Sequence, residues 1–585
     1  MHVHIALAQF RPDKGDSDAS IERISELLGG LKGQPELPDV VVFPESATTG
    51  YFLEGGVREH AVTAKQMLDR MQRAWDNAPG PARSIDAVIG FYEQHEHHTY
   101  NSALYAELGG KGPRLVHVHR KVFLPTYGVF QEERFVEPGS EISAFDTRWG
   151  RAAILICEDL WYGISADMAA RDGARMLLVP SASPARGTAP GPGAPGNVAR
   201  WERLAAGAAK RHGVGVAVCQ LVGFEGGKGF AGGSIACGPG GEVLHRSVLW
   251  DEALDVVGFD LAETPGQPGA ADATRRSPAG RELSPVLRRQ EADEEARERG
   301  KARNVEPDGR ARDAALLDVD GPLLEEWLVR FLAEELRRRR GFGHAVVGLS
   351  GGVDSSVTAA LCARALGPEN VTGFLLPYRT SSAKSVDHAM QVAGQLGIHT
   401  RQIEISGAVD GYLADFEPDA DPRRRGNVMA RTRMIVLFDQ AAKLKALPVG
   451  TGNKSERLLG YFTWHADDSP PINPLGDLFK TQVWALARQL GLPDAVIDKP
   501  ASADLVVDQT DEEDLGVSYT EADLILLHLI EGRAPAWLEA AGFAPDTVAT
   551  VRNRLESTHW KRNLPTVAML SSTAIGEWYL RPVDY

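Results

Sequence analysis

The sequence predicts an α/β protein with two layered domains. Three observations carry that prediction. In both halves of the chain, short apolar runs alternate with stretches of helical spacing, the pattern of strands covered by helices. Residues 262–313 break the pattern: Pro, Gly, Ala, Arg and Glu dominate and large apolar side chains are few. Residues 345–366 read as an apolar strand, a glycine turn and a helix, and a doubly wound parallel sheet binds its ligands at such a strand end. Domains are therefore expected at 1–261 and 314–585, with 262–313 as a mobile linker.

In the first domain, Val3–Phe10 alternates as a strand and Ser20–Leu31 has helical spacing through Ile21, Ile24, Leu27, Leu28 and Leu31. Asp39–Glu45 is an apolar strand ending in Pro44 and a carboxylate. Further strands are expected at Ala87–Tyr92, Ser102–Ala106, Leu115–His119, Ala152–Cys157, Arg175–Pro180 and Val214–Leu221, with a helix over Asn197–His212. In the second domain a helix over Asp318–Arg340 precedes strands at Ala345–Leu349, Val371–Leu376 and His399–Ile405. Helices over Ser355–Leu366, Ser382–Leu396 and Val428–Leu444 alternate with them, which implies parallel strands and crossover helices.

Composition narrows the function. The 585 residues are 43% hydrophobic and 24% charged, with a net charge of −16. That balance excludes non-specific nucleic-acid binding and attraction to an anionic membrane surface. Four cysteines in a chain of this length, with no C-x-x-C pair, suggest neither a disulfide framework nor a zinc site. The start M-H-V-H-I-A-L-A-Q-F lacks a basic leader, and no apolar run is long enough to span a bilayer, so a cytoplasmic location is expected. His95-Glu96-His97-His98 is read as a polar turn rather than a metal site.

Two stretches carry chemistry. Gly348-Leu349-Ser350-Gly351-Gly352-Val353-Asp354-Ser355-Ser356 runs from strand to helix. Amides opening the helix bind phosphate there, Ser350, Ser355 and Ser356 add hydroxyls, and Asp354 suits magnesium held on the phosphates. No P-loop lysine follows. In the other half, Glu45, Lys121 and Cys157 stand at or just beyond strand ends. A carboxylate base, an ammonium and a thiol are the parts of nucleophilic acyl transfer, with the Glu158 amide as a second oxyanion donor. A small core cysteine is the competing reading, and spacing alone leaves it open.

The words around these residues resemble known families. F-P-E-S, H-R-K-V-F-L-P and I-L-I-C-E-D-L-W resemble the nitrilase superfamily, and Arg120–Phe135 resembles the glutaminase domain of glutamine-dependent NAD synthetases. The resemblance covers Val3 to about Leu261 and implies an α-β-β-α sandwich. It implies that Glu45 is the base, Lys121 the stabiliser and Cys157 the nucleophile. Tyr127 and Ser183 would contact glutamine, and Glu132 (or Glu133) would be the auxiliary glutamate. The chain departs from that family at Ala185–Ala189, A-R-G-T-A, where a lysine is missing or Arg186 replaces it.

The S-G-G-x-D-S turn resembles the ATP pyrophosphatases, whose domain is a Rossmann-like doubly wound sheet. Asn427–Met434, Gly450–Thr463, Pro471–Val483, Lys499–Gly516 and Trp560–Arg562 resemble the NAD synthetases among them. That resemblance implies ATP on residues 348–356 together with Thr451, Lys480 and Ser502. It places deamido-NAD on Asn427, Arg431, Glu456, Tyr461, Phe462, Thr463, Trp464, Asp467 and Lys561, and magnesium on Asp354 and Glu456. The activity implied is amidation of deamido-NAD to NAD with ammonia from L-glutamine, through an adenylated intermediate. Pairing of chains through the second domain is implied as well. Trp464–Pro471 departs from the family's glycine-rich loop.

Two alternatives remain at this point. One is another amidase-fused ATP pyrophosphatase. Residue 2 is His rather than the cysteine an asparagine synthetase needs, the glutaminase is not that of GMP synthetases, and Cys362 stands alone on a helix, unlike a thiolase. The other is a binding protein without turnover, supported only by the two altered loops.

Overall fold

The structure, a computed structural model, describes residues 2–53, 56–110, 112–191, 193–261, 311–502 and 510–562. The chain divides into two compact units. The expected linker falls almost wholly on 262–310, outside the described residues. Its last three positions are folded into the second unit: Ala311 is buried and its carbonyl accepts from His528 Nε2 at 2.9 Å.

The first unit contains β1 (His2–Gln9), β2 (Val40–Val42), β3 (Ser84–His95), β4 (His98–Gly109), β5 (Arg114–Arg120), β6 (Ala144–Thr147), β7 (Gly150–Ile154) and β8 (Met176–Ser181). There follow β9 (Gly215–Gln220), β10 (Val222–Glu225), β11 (Lys228–Ala231), β12 (Ile235–Cys237), β13 (Val243–Arg246) and β14 (Ala253–Asp260). Two six-stranded sheets form, in the orders β14-β1-β2-β3-β4-β5 and β13-β12-β9-β8-β7-β6. Alternation along β1 shows why they stack. Val3, Ile5 and Leu7 share a core with Leu177, Val179 and Val216 of the other sheet. Ala6, Ala8 and Phe10 instead meet Ile24 and Leu28 of the helix Ser17–Lys32 and Met71 of the helix Ala64–Asn77. Because successive strand side chains point to opposite faces, a strand buried on both must lie between two layers. The helix Gly196–His212 covers the second sheet through Trp201, Ala205 and Ala209, which completes the α-β-β-α sandwich. Glu96 and His97 form the positive-φ turn between β3 and β4, so the His95–His98 run is a hairpin tip.

The second unit holds β15 (Ala345–Gly348), β16 (Val371–Leu375), β17 (His399–Gln402) and β18 (Leu447–Pro448), all parallel, in the order β17-β16-β15-β18. Ala345 and Val347 pack toward the helix Val353–Leu366, and Val346 packs toward Met429 and Leu437 of the helix Pro422–Leu444. This is the doubly wound sheet that the alternation predicts. The helix Pro422–Leu444 begins six residues before the expected Val428, because Asp421 caps Arg424 N at 2.9 Å and Pro422 suits the first turn. The expected helix over Asp318–Arg340 runs as Gly321–Ala333 and then widens to a π-turn over Glu334–Arg338.

The turn after β15 is tight. Gly351 has φ 73°, and a Cβ there would collide with the Ser385 carbonyl oxygen. Gly351→Ala is therefore expected to destabilise the second unit by about 1–3 kcal/mol, from strain and displacement of the neighbouring helix. Scanning calorimetry checks this; an unchanged transition temperature would show that the turn has room to spare.

Candidate active sites

In the first unit, the parallel β2 and the doubly antiparallel path β3-β4-β5 bring the carboxyl ends of β2 and β5 to one edge. Glu45 follows the first and Lys121 the second. Both are buried, and Lys121 Nζ donates to Glu45 Oε1 at 2.6 Å and to Glu132 Oε2 at 2.8 Å. Asn101 Nδ2 donates to Glu45 Oε1 at 2.8 Å and to Glu132 as well. Ala182 N donates to Glu45 Oε2 at 2.8 Å, and the Tyr51 hydroxyl donates to Glu132 at 3.1 Å. Burial pulls the Lys121 pKa down, but Glu132 and Glu45 override it and hold the ammonium well above its ordinary range. Glu132 therefore supports Lys121 directly.

Cys157 opens the short 3-10 turn Cys157–Trp161 that follows β7, buried and with φ 46°. Burial first, and Glu45 next, push its thiol well above the ordinary cysteine range. The resting group is a neutral thiol, so a base must take its proton as it attacks. Glu158 beside it accepts from the Tyr127 hydroxyl at 2.9 Å. Ser183 accepts from Asn197 Nδ2 at 3.2 Å. In the departing A-R-G-T-A segment, the Arg186 guanidinium lies over Phe130 at 5.1 Å, and Phe130 packs edge-on to Tyr127. A cation thus reaches the Tyr127 turn despite the missing lysine.

Two residues that spacing did not single out hold this site together. Asp159 is fully buried. Its Oδ1 accepts from Val122 N and Phe123 N, each at 3.0 Å, and its Oδ2 from Ile156 N at 2.9 Å and His119 Nε2 at 2.8 Å. It ties the backbone after Lys121 to the backbone before Cys157. Glu225 accepts from Tyr51 N at 3.0 Å and Phe52 N at 2.8 Å, which fixes the loop after Glu45.

In the second unit a cavity of about 300 Å³ opens at the carboxyl ends of β15 and β16. Gly348, Leu349, Ser350, Gly352, Val353, Asp354 and Ser355 line it, with Thr451, Glu456, Tyr461, Phe462, Asp467, Lys480 and Ser502. Lys480 Nζ donates to Asp354 Oδ2 and, at 3.3 Å, to Glu456 Oε1. Burial lowers Lys480, but Asp354 and Glu456 lift it above the ordinary lysine range. Burial pushes the Glu456 carboxyl up, against the pull of Lys480. Asn453 Nδ2 donates to Asp354 Oδ1 at 3.0 Å. Ser355 and Ser350 hydroxyls hold the turn itself, the first accepting from Ser350 N and the second from Gly352 N, each at 3.2 Å.

The other expected residues sit apart from the cavity lining, in a patch that meets it at Phe462 and Asp467. Ser356 donates to Gly352 O at 2.8 Å, inside the helix, and Gly351 lies under Ser385. Asn427 accepts from the Thr463 hydroxyl at 3.1 Å, Asp467 accepts from Thr463 N at 2.8 Å, and Arg431 donates to Trp464 O at 3.2 Å. Lys561 Nζ donates to Gly460 O at 2.7 Å and Phe462 O at 2.8 Å and lies over the Phe462 ring. Trp464 packs edge-on to Trp560 at 5.3 Å. These residues form one patch around the 460–467 loop. Spacing also missed Lys499, whose Nζ donates to Ser385 Oγ at 2.9 Å beside the turn. The acidic run Asp511–Asp514, which composition alone reads as a solvated helix start, does start a helix, but Asp511 is buried against Tyr519 and lines the cavity, so that reading fails there.

A thiol beside a paired lysine in an α-β-β-α sandwich, followed by a phosphate turn on a doubly wound sheet, is the arrangement expected of a carbon–nitrogen hydrolase unit joined to an ATP-pyrophosphatase unit. Residues 4–265 match the carbon-nitrogen hydrolase family and residues 324–565 match NAD synthase. An NH3-dependent NAD+ synthetase of Trichlorobacter lovleyi is 46% identical over 260 residues, 44% of this chain and 94% of that protein. The chain belongs to the NAD synthase family. Its fold is similar to the glutamine-dependent NAD+ synthetase of Acinetobacter baumannii in complex with ADP, with TM-score 0.69, 23% identity and coverage of 100% of this chain and 98% of that one. A second such structure, from Cytophaga hutchinsonii, has TM-score 0.68 and 16% identity and covers 96% and 94%.

Asp159→Ala leaves three backbone amides and His119 without their acceptor inside the core. The expected cost is about 2–4 kcal/mol. An unfolding transition of the first unit at the wild-type temperature would contradict the clamp.

Proposed function

We propose that this chain converts deamido-NAD to NAD, using ATP and ammonia cut from L-glutamine, and releases AMP, pyrophosphate and glutamate. One observation carries the reading. The Glu45–Lys121 pair with Cys157 and the phosphate turn with Lys480 occur in one chain, each with its charged groups already paired.

At the first site Cys157 Sγ attacks the glutamine carboxamide carbon while Glu45 takes the thiol proton. The Lys121 ammonium, kept charged by its two carboxylates, faces the developing oxyanion with the backbone amides. Collapse expels ammonia, with Glu45 returning the proton, and water then hydrolyses the thioester to glutamate. Tyr127, Glu158 and Ser183 are assigned to the amino-acid end of glutamine, and Arg186 to its carboxylate. At the second site, a nicotinate carboxylate oxygen attacks the ATP α-phosphorus and pyrophosphate leaves. Ammonia then attacks the adenylated carbonyl carbon and AMP leaves. The turn amides, Thr451 and Ser502 are assigned to the phosphates, and Lys480 to the charge that grows on pyrophosphate. The apolar wall of Leu376, Met434, Leu437 and Val449 suits an adenine ring. The patch of Asn427, Arg431, Trp464 and Lys561 is assigned to the dinucleotide. Ammonia has to reach the adenylate before it is protonated, since ammonium is not a nucleophile.

Magnesium fits the second site. Asp354 and Glu456 present two hard oxygen donors beside the turn, and no group of three or more metal-binding side chains occurs among the described residues. Two carboxylates completed by phosphate oxygens and water is an arrangement magnesium favours. When bound it would neutralise charge on the departing pyrophosphate.

Pairing of two copies is supported by an apolar surface on the second unit: Phe416 is 72% and Ile435 69% exposed, with Tyr412 and Phe438 nearby on the same two helices. A cytoplasmic location is supported by four unpaired cysteines and, among the described residues, by no helix long and apolar enough to cross a membrane.

Cys157→Ala is expected to abolish NAD formation from glutamine while leaving formation from ammonium salts near wild type; persistent use of glutamine would refute the first site. Asp354→Ala should lower both routes by at least about 100-fold, a loss typical of removing a charge acting on the transition state. Ammonia-driven turnover at the wild-type rate would rule out its role. Ile435→Asp with Phe416→Asp is expected to give monomers in analytical ultracentrifugation, and a wild-type sedimentation coefficient would place the pairing surface elsewhere.

A further inference from the structure

The helix Lys480–Gln489 starts after Phe479, a residue with no side-chain acceptor to cap it. Its first N–H groups need partners from elsewhere. Lys480 N donates to Ser455 Oγ at 2.9 Å, and Thr481 N donates to Asp523 Oδ2 at 3.0 Å. The Thr481 hydroxyl donates to the same oxygen at 2.9 Å, and the Ser455 hydroxyl donates to Asp523 Oδ1. Asp523 comes from the helix Tyr519–Ile530, is fully buried, and does not line the cavity. It belongs to no motif of the sequence.

One carboxylate therefore takes an amide at the start of the helix Lys480–Gln489 and the Ser455 hydroxyl in the first turn of the helix Lys454–Leu459, whose own start Asn453 caps. Ser455 adjoins Glu456, and Thr481 adjoins Lys480. The pair whose charges meet in the cavity is held by the residues beside each member. A negative charge at a helix N-terminus is favourable in itself. Three donors converge on Asp523, and an asparagine there would offer one acceptor oxygen and two further N–H donors. Burial raises the carboxyl, and its hydrogen bonds to Ser455 and Thr481 hold that rise to about 6.

We propose that Asp523 is a positioning residue for the adenylation step, fixing the Lys480 ammonium against Asp354 and Glu456 through Thr481 and Ser455. This rests on the ATP-using reading of the site given above. A residue that acts on the reacting charge through Lys480 affects kcat rather than ground-state binding, and its effect vanishes when Lys480 is already altered.

The test uses the full chain with ATP, magnesium, deamido-NAD and ammonium chloride, scored for pyrophosphate and NAD. Asp523→Asn is expected to lower kcat by about 10- to 100-fold with KM for ATP and deamido-NAD within about threefold of wild type. In a Lys480→Arg background the same change should lower kcat by less than about threefold further. Asp523→Glu should recover part of the loss. An equal loss in both backgrounds, or a change confined to KM, overturns the proposal. Ser455→Ala reports on the same bridge if the asparagine variant does not accumulate folded, and wild-type kcat in that variant also overturns it. Absence of pyrophosphate and NAD from the wild-type chain would refute the ATP-using reading instead, so the two failures are distinct.

Discussion

Each unit is organised by one buried lysine held between two carboxylates. Lys121 and Lys480 are 1% and 2% exposed, and neither charge is tolerable there alone. Glu45 and Glu132 hold the first, Asp354 and Glu456 the second. The requirement is stringent because the partners are distant in the chain: Lys121 lies 76 residues from Glu45, and Lys480 lies 126 from Asp354. In the first unit strands whose carboxyl ends share an edge bring such partners together; in the second, the starts of three helices do. The α-β-β-α sandwich and the doubly wound sheet are two different solutions to that delivery problem.

Charge pairing alone does not set atomic positions, since an ammonium on a flexible stem has many ways to touch a carboxylate. Both units add a buried carboxylate that grips backbone near the reacting groups. Asp159 takes amides after Lys121 and before Cys157. Asp523 takes the amide after Lys480 and the hydroxyl before Glu456. Gripping neighbours of the reacting side chains, and not those side chains themselves, leaves the reacting atoms free to exchange partners as substrates arrive.

Much of this was legible in the sequence. Two-sided burial of β1 and β15 leaves near-continuous apolar runs, and the glycine turn after β15 names its own chemistry. Glu45, Lys121 and Cys157 were visible through the words around them, since their places at or just beyond strand ends left the core-cysteine reading open. What stayed hidden has common physical causes. β18 is two residues long, too short for any periodicity. Asp159 and Asp523 act on backbone 36 to 42 residues away, and no local pattern records that distance. Asp511 looked like part of a solvated acidic run because only the folded chain shows which of four neighbouring acids turns inward. Lys561 and Asp467 hold the carbonyls and amide of their own loop, a use that a contact list inferred from resemblance does not distinguish from substrate binding.

Cys157 sits at φ 46°, on the left-handed side of backbone space. Unbranched side chains bear that conformation at modest strain, whereas a second heavy atom on Cβ meets the preceding carbonyl. The elbow therefore acts as a filter on which nucleophiles evolution can try at this position. Exchange of sulfur for the oxygen of serine is open to it. Threonine, equally able to form an ester, is barred by the backbone before its chemistry is ever put to use.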